Sequence, residues 1–220
     1  MLIMQKNKVV AFDCDGTLLN TFNLIIETVK ITLKELFPDY KPTKEEIESF
    51  FGPGLIESFS KYVKTKEEVD YCISRYRYHN QKIMSEYITC FDGIEEMLKY
   101  LKEHGYRVMI VSNKVSSAVM QGLVLCNVDK YIESIIGYEM IIPKPDPDGI
   151  YQAMKQYDVD KLLYVGDTTI DMQTGVNANV PTVGVTWCKS SKEQLYSAGA
   201  TYVIDKPSEL IDILENEIIF

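Results

Sequence analysis

Apolar positions along the chain follow two rhythms. Val9, Val10, Ala11 and Phe12 form an unbroken run, the pattern of a strand buried on both faces. From Phe22 the spacing widens, and Ile25, Ile26, Val29, Leu33 and Leu36 recur at three- and four-residue steps, predicting an amphipathic helix. Thr43 with Glu46, and Thr65 with Glu68, have the spacing of capping boxes that open two further helices. The second of these carries Val69, Cys72, Ile73 and Tyr76 toward a core. Gly52-Pro53-Gly54 breaks the chain between the two boxes. From about Asn20 to Glu86 no strand is expected.

After Asp92 the rhythm alternates. Asp92 with Glu95 is expected to cap a helix that Gly105 ends, and "YRVMIVSN" follows as a buried strand. A helix from Ser116 to Cys126, a short strand at "SIIG" and a helix opened by Asp146-Pro147 come next. "LLYVGD", "TVGVTW" and "TYVID" read as further strands between helical segments. This succession predicts an α/β fold, a doubly wound, Rossmann-like parallel sheet, over residues 1–19 and 89–220. The helical stretch 20–88 is too long for a loop and is expected to be an inserted all-helical cap domain.

Composition narrows the partners. A net charge of -9 disfavours a nucleic-acid partner, because little surface remains to displace counterions from a polyanion. A small phosphorylated metabolite remains possible if a local cation receives it. No apolar run is long enough to cross a bilayer, so no membrane role is expected, and no signal-like segment precedes the first strand. The five scattered cysteines form no C-x-x-C pair and read as reduced thiols. The expected compartment is the cytoplasm, and the expected state a monomer or weak homodimer.

Polar residues gather where the strands end, which is where open parallel sheets bind ligands. The first strand ends in Asp13 and Asp15, the second in Ser112 and Asn113; Lys144 follows "EMIIP", and "GDTTID" brings Asp167 and Asp171. Strand alternation sends Asp13 and Asp15 to one side and Cys14 to the other. Adjacent carboxylates raise each other's pKa unless a cation intervenes, and Mg2+ takes oxygen ligands of this kind. Asp167 offers a third carboxylate; Asp171 is placed to hold metal-bound water or to orient Lys144. Gly16 and Thr17 suit a turn that presents backbone N–H groups to phosphoryl oxygens. Taken singly, each feature has a plainer reading: an Asp turn, a strand-end turn, a solvated lysine, a helix cap. A calcium loop fits less well, since its glycine belongs at the sixth place and here stands fourth. Their joint placement at one edge favours a shared metal and phosphate site.

In order, "DCDGT", "SNK", "KP" and "GDTTID" resemble the four motifs of the haloacid dehalogenase-like (HAD) superfamily, and the helical insert sits where that family carries its first type of cap. The resemblance implies Asp13 as nucleophile, forming an aspartyl-phosphate, and Asp15 as general acid and then base. It implies Mg2+ held by Asp13, the backbone carbonyl of Asp15 and Asp167, with Asp171 assisting, and phosphoryl oxygens bound by Ser112 and Lys144. Asp15 sets the chain apart from the dehalogenases, which lack an aspartate there. "FFGPGLIESFSKY", "VTWCKSSKEQL" and "IDKPSEL" are similar to the phosphoglycolate phosphatase and pyrophosphatase branch, although "FDGIEEML" lacks the proline that often precedes its glycine.

The cap is expected to choose the substrate. Gly52 to Leu55 is the segment expected to lean over the site, and Arg75, near Arg77, His79 and Asn80, is a candidate for a second anionic group. A solvated helix face with both arginines paired to acids fits those residues equally. The leading expectation is a Mg2+-dependent phosphohydrolase on a small anionic phosphate metabolite. The alternatives are a sugar-phosphate mutase similar to β-phosphoglucomutase, which must keep water from its phosphoenzyme, and a non-catalytic phosphate-binding protein.

Overall fold

The computed structural model describes residues 8–216 and residue 219. The first apolar run forms strand β1 (Lys8–Phe12). Because side chains alternate along a strand, Val10 and Phe12 enter one apolar cluster while Val9 and Ala11 enter another on the opposite face. Helices must therefore cover both faces.

The chain then makes the short strand β2 (Leu19–Asn20) and four helices, α1 (Phe22–Leu36), α2 (Lys44–Glu48), α3 (Leu55–Phe59) and α4 (Lys66–Tyr87). Both expected capping boxes form, Thr43 with Glu46 and Thr65 with Glu68. These helices close around their own core, in which Ile25, Val29, Leu33, Phe59, Cys72 and Tyr76 are buried. Strand β3 (Thr89–Cys90) pairs antiparallel with β2, so the helical cap leaves and rejoins the sheet at adjacent points. The sequence gives no sign of this ladder, because two residues are too few to show a period.

The rest alternates: α5 (Ile94–Glu103), β4 (Tyr106–Val111), α6 (Ser116–Leu125), β5 (Ser134–Ile136), α7 (Asp148–Tyr157) and β6 (Leu163–Gly166). Then come α8 (Thr169–Ala178), β7 (Thr182–Val185), α9 (Lys192–Ser197), β8 (Tyr202–Ile204) and α10 (Ser208–Asn216). Six strands form a parallel sheet in the order β5-β4-β1-β6-β7-β8. Two helix starts differ from expectation. Gly93, with a left-handed φ of 83°, stands at the N-cap of α5 in place of Asp92, and no side chain caps that helix. Pro147 precedes α7, while Asp146 reaches past it to accept from the Asp148 amide at 3.0 Å. No helix among the described residues is long and apolar enough to cross a membrane.

With β4 and β6 on either side of β1, the chain segments that follow these three strands meet at one edge.

Candidate active site

The Asp13 amide donates to Val165 O at 2.8 Å, which extends the β1–β6 pairing by one residue and directs Asp13 to the Val9 and Ala11 face. Cys14 turns the other way, into the apolar cluster that holds Phe12. Its carbonyl accepts from the amides of Leu18 and Leu19 at 3.1 and 3.0 Å, which folds Asp15 to Thr17 back over the edge. Gly16 allows that fold, with φ at 83°; a Cβ there would stand 2.4 Å from Asp167 Oδ2 and 2.7 Å from the Phe51 ring.

Asp167, one residue beyond β6, is wholly buried; its Oδ1 accepts from Thr17 Oγ1 at 3.1 Å. Its Oδ2 is buried with no hydrogen-bond partner. Asp171 is the third residue of α8 and closes a capping box with Thr168, whose amide and hydroxyl donate to Asp171 Oδ2 at 3.0 and 2.6 Å. Its other oxygen accepts from Lys144 Nζ at 2.6 Å. The same ammonium donates to Asp13 Oδ1 at 2.7 Å and to the Tyr164 hydroxyl at 3.1 Å. Oxygens of Asp13, Asp167 and Asp171 lie within 4.8 Å of one another.

Three buried carboxylates thus share one buried ammonium, and negative charge is in surplus. Burial pushes the Asp13 carboxyl up to about 6, against the pull of Lys144. Burial, then the charges of Asp171 and Asp13, hold Asp167 well above the usual carboxylate range. Burial works against the charge of Lys144, but Asp13 and Asp171 outweigh it and raise its pKa well above the ordinary value. An unpartnered buried oxygen amid surplus carboxylate is what a hard divalent cation would satisfy, so these residues fit Mg2+.

Asp15 stands apart from that cluster. Its Oδ1 accepts from Lys114 Nζ at 2.8 Å. Lys114 was not singled out from the sequence; its signal was its place, two residues after Ser112 in the segment that ends β4. Ser112 is buried and its hydroxyl accepts from the Lys114 amide at 3.3 Å. Asn113 clamps the neighbouring loop: its Oδ1 accepts from the Lys144 amide at 2.8 Å and its Nδ2 donates to the Lys144 carbonyl at 3.3 Å. Tyr164, also absent from the expected set, ties Lys144 to the sheet by donating to Val111 O at 3.1 Å.

A cavity of about 730 Å³ lies over this edge and under the helical cap. Asp13, Asp15, Ser112, Asn113, Lys144 and Asp171 reach it from the sheet, and Gly52 from the cap. Gly16, Thr17 and Asp167 stand behind that lining. Arg75 does not line the cavity. It grips Glu35 with two bonds, Nε to Oε1 at 2.6 Å and Nη2 to Oε2 at 3.1 Å, on the outer side of the cap. The bond from Arg75, joined by one from His79, brings the Glu35 carboxyl down to about 2. Arg77 lines the cavity instead.

A parallel sheet whose carboxyl edge gathers acids and a lysine beneath a helical lid defines a class of hydrolases, and the comparisons agree. The model of the haloacid dehalogenase-like hydrolases matches residues 10–185, and the chain belongs to that family. It is 35% identical over 215 residues to pyrophosphatase PpaX of Listeria monocytogenes, covering 96% of this chain and 98% of that protein. A crystal structure described as a predicted phosphatase from Clostridium acetobutylicum superposes with a TM-score of 0.83 at 29% identity, covering 96% of this chain and 100% of that one. A haloacid dehalogenase-like family hydrolase from Streptococcus pneumoniae shares the fold at 23% identity, with a TM-score of 0.83 over 94% of this chain and 98% of that one.

Proposed function

We propose that this chain is a Mg2+-dependent phosphohydrolase acting on a small anionic phosphate metabolite, of pyrophosphate or phosphoglycolate type, through an aspartyl-phosphate on Asp13. The observation that carries the reading is the placement of Asp13. Its carboxylate lines the cavity with one oxygen bonded to Lys144, and a second carboxylate, Asp15, lines the same cavity from the same turn. The pyrophosphatase name of the Listeria relatives supports a substrate with two anionic groups.

A carboxylate needs no activating base to act as a nucleophile; its difficulty is the approach to an anionic phosphate. Mg2+ held by Asp13, Asp167, Asp171 and the Asp15 carbonyl would supply positive charge that offsets these acids and polarises a phosphoryl oxygen. Lys144 and the Ser112 hydroxyl bind the phosphoryl oxygens. Asn113 fixes the Lys144 backbone, and Tyr164 fixes its side chain, so the ammonium is in place before substrate arrives. Asp13 attacks phosphorus while Asp15 gives its proton to the departing oxygen. Asp15 then takes a proton from the water that attacks the phosphoenzyme, which restores Asp13 and releases phosphate. Lys114 acts as a positioning residue by holding Asp15 through its Oδ1.

The test is phosphate release, with Mg2+ and with chelator, from a panel of pyrophosphate, phosphoglycolate, sugar phosphates and nucleotides. Turnover that requires Mg2+ and is abolished in Asp13→Asn supports the reading. Isomerisation of a sugar phosphate without net release would point to a mutase, and inactivity of folded protein on every compound would point to a binding role.

A further inference from the structure

We propose that Arg77 is the specificity residue of the cap, and that the substrates it selects carry a second anionic group, a carboxylate or another phosphate, a short distance from the phosphate that is cleaved. The inference rests on the phosphohydrolase reading and names the substrate class of that same site.

Helix α4 presents one stripe to the cavity: Ile73, Ser74, Arg77, Asn80, Gln81 and Met84 all line it. Their steps of three and four residues place them on one helical face. Arg75 lies two residues before Arg77, about 200° around the helix, and so faces away. Its guanidinium is already committed, gripping Glu35 and lying 4.5 Å from the centre of the Tyr78 ring.

The other cations that line the cavity are committed too. Lys144 bonds Asp13 and Asp171 at 2.7 and 2.6 Å, and Lys114 bonds Asp15 at 2.8 Å. Arg77 makes no ion pair among the described residues. Glu139 lies within range of its charge, but that carboxylate is held by the Ser116 amide, at 3.1 and 3.2 Å, and by the Ser116 hydroxyl. Asp70, also on the lining, sits two turns earlier on α4, so the cap face is negative at that end and positive at Arg77. An anion bound to the core and extending toward the cap is repelled by the first end and received by the second. A guanidinium suits this role because its planar fork pairs with carboxylate or phosphate through two parallel bonds.

The experiment compares phosphoglycolate, which has the second anionic group, with p-nitrophenyl phosphate, which lacks it. Arg77 is exposed, so Arg77→Gln should fold. It is expected to raise KM for phosphoglycolate roughly tenfold to a hundredfold, the worth of a charge-assisted hydrogen bond, and to leave the aryl ester within about threefold. Arg77→Lys should recover part of the loss, and Arg75→Gln should leave the ratio of the two substrates unchanged. Equal losses on both substrates, no loss on either, or the same ratio shift in Arg75→Gln would overturn the inference. So would a wild type that cleaves the aryl ester but neither phosphoglycolate nor pyrophosphate, with the hydrolase reading left standing; where pyrophosphate alone of the two is cleaved, it takes the place of phosphoglycolate in the comparison. A folded wild type that releases phosphate from no compound of the full panel overturns that reading, and the inference with it.

Discussion

Asp167 is a residue that its own fold leaves unsatisfied. It is fully buried, its pKa is forced up, and one oxygen has no partner. Such a group costs roughly 1–3 kcal/mol unless something else binds it. Asp167→Asn is therefore expected to raise the unfolding midpoint of chelator-treated protein and to erase the midpoint gain that Mg2+ gives the wild type. Thermal unfolding of both proteins, with and without the ion, checks it. Asp13 makes a second prediction, with a definite sign. Its folded pKa of about 6 stands above the ordinary 3.8, so the folded state holds the proton more tightly. The stability this contributes is complete below about pH 4 and is lost as pH rises through about 6. Metal-free wild type should then lose stability across that window more steeply than metal-free Asp13→Asn, as denaturant midpoints at successive pH values would show. The side chain of Lys114 bonds only Asp15 within the proposed machinery, while its amide donates to the Ser112 hydroxyl and is kept in any substitution. Lys114→Met should lower kcat roughly tenfold on substrates whose departing oxygen needs a proton, and much less on an aryl ester, because the loss falls on the proton transfer.

At the scale of elements, one motif serves two purposes. Asp171 caps α8 through Thr168 and, with its other oxygen, holds Lys144. Thr65 caps α4 through a box of the same kind, with Glu68, and does not line the cavity. Both Thr168→Ala and Thr65→Ala should cost about 1 kcal/mol of stability. Only the first should also reduce turnover, and paired denaturation and kinetic measurements would separate the two effects. Much of this was legible in advance. The apolar run of β1 and the stepwise spacing of α1 located those elements, and the boxes at Thr43 and Thr65 fixed two helix starts. The acids Asp13, Asp15, Asp167 and Asp171 were visible because each follows a strand. What was hidden depends on rotation and distance. Arg75 and Arg77 look alike in a helix with charges on several sides, and only its packing on α1 decides which one Glu35 captures. Thr17 was read for the backbone N–H groups of its turn; that its hydroxyl serves Asp167, a residue 150 positions away, has no local mark in the sequence. Nothing local marks the β2–β3 ladder.

For the whole molecule, the decisive feature is the strand order. The sequence implied a parallel sheet, but not that β1 would lie between β4 and β6. That order brings Asp13, Ser112 and Asp167 to one edge from distant parts of the chain. A chain of net charge -9 also directs two lysines, Lys114 and Lys144, into this one cavity, the local cations that the proposed phosphate substrate requires. The cap encloses the same edge with a core of its own, joined to the sheet through β2 and β3. On the proposed reading, the sheet holds the phosphate while the cap reads what is attached to it.

The proposed mechanism centres on Asp13 as the group that takes the phosphoryl. The most direct measurement is to quench turnover with acid, reduce the protein with borohydride and sequence its peptides by mass spectrometry. An acyl phosphate is reduced to the alcohol, so position 13 should appear as homoserine in wild type, and only when Mg2+ and substrate are both present. Phosphate release at the wild-type rate, with Asp13 recovered unmodified at every quench time, would contradict the covalent mechanism.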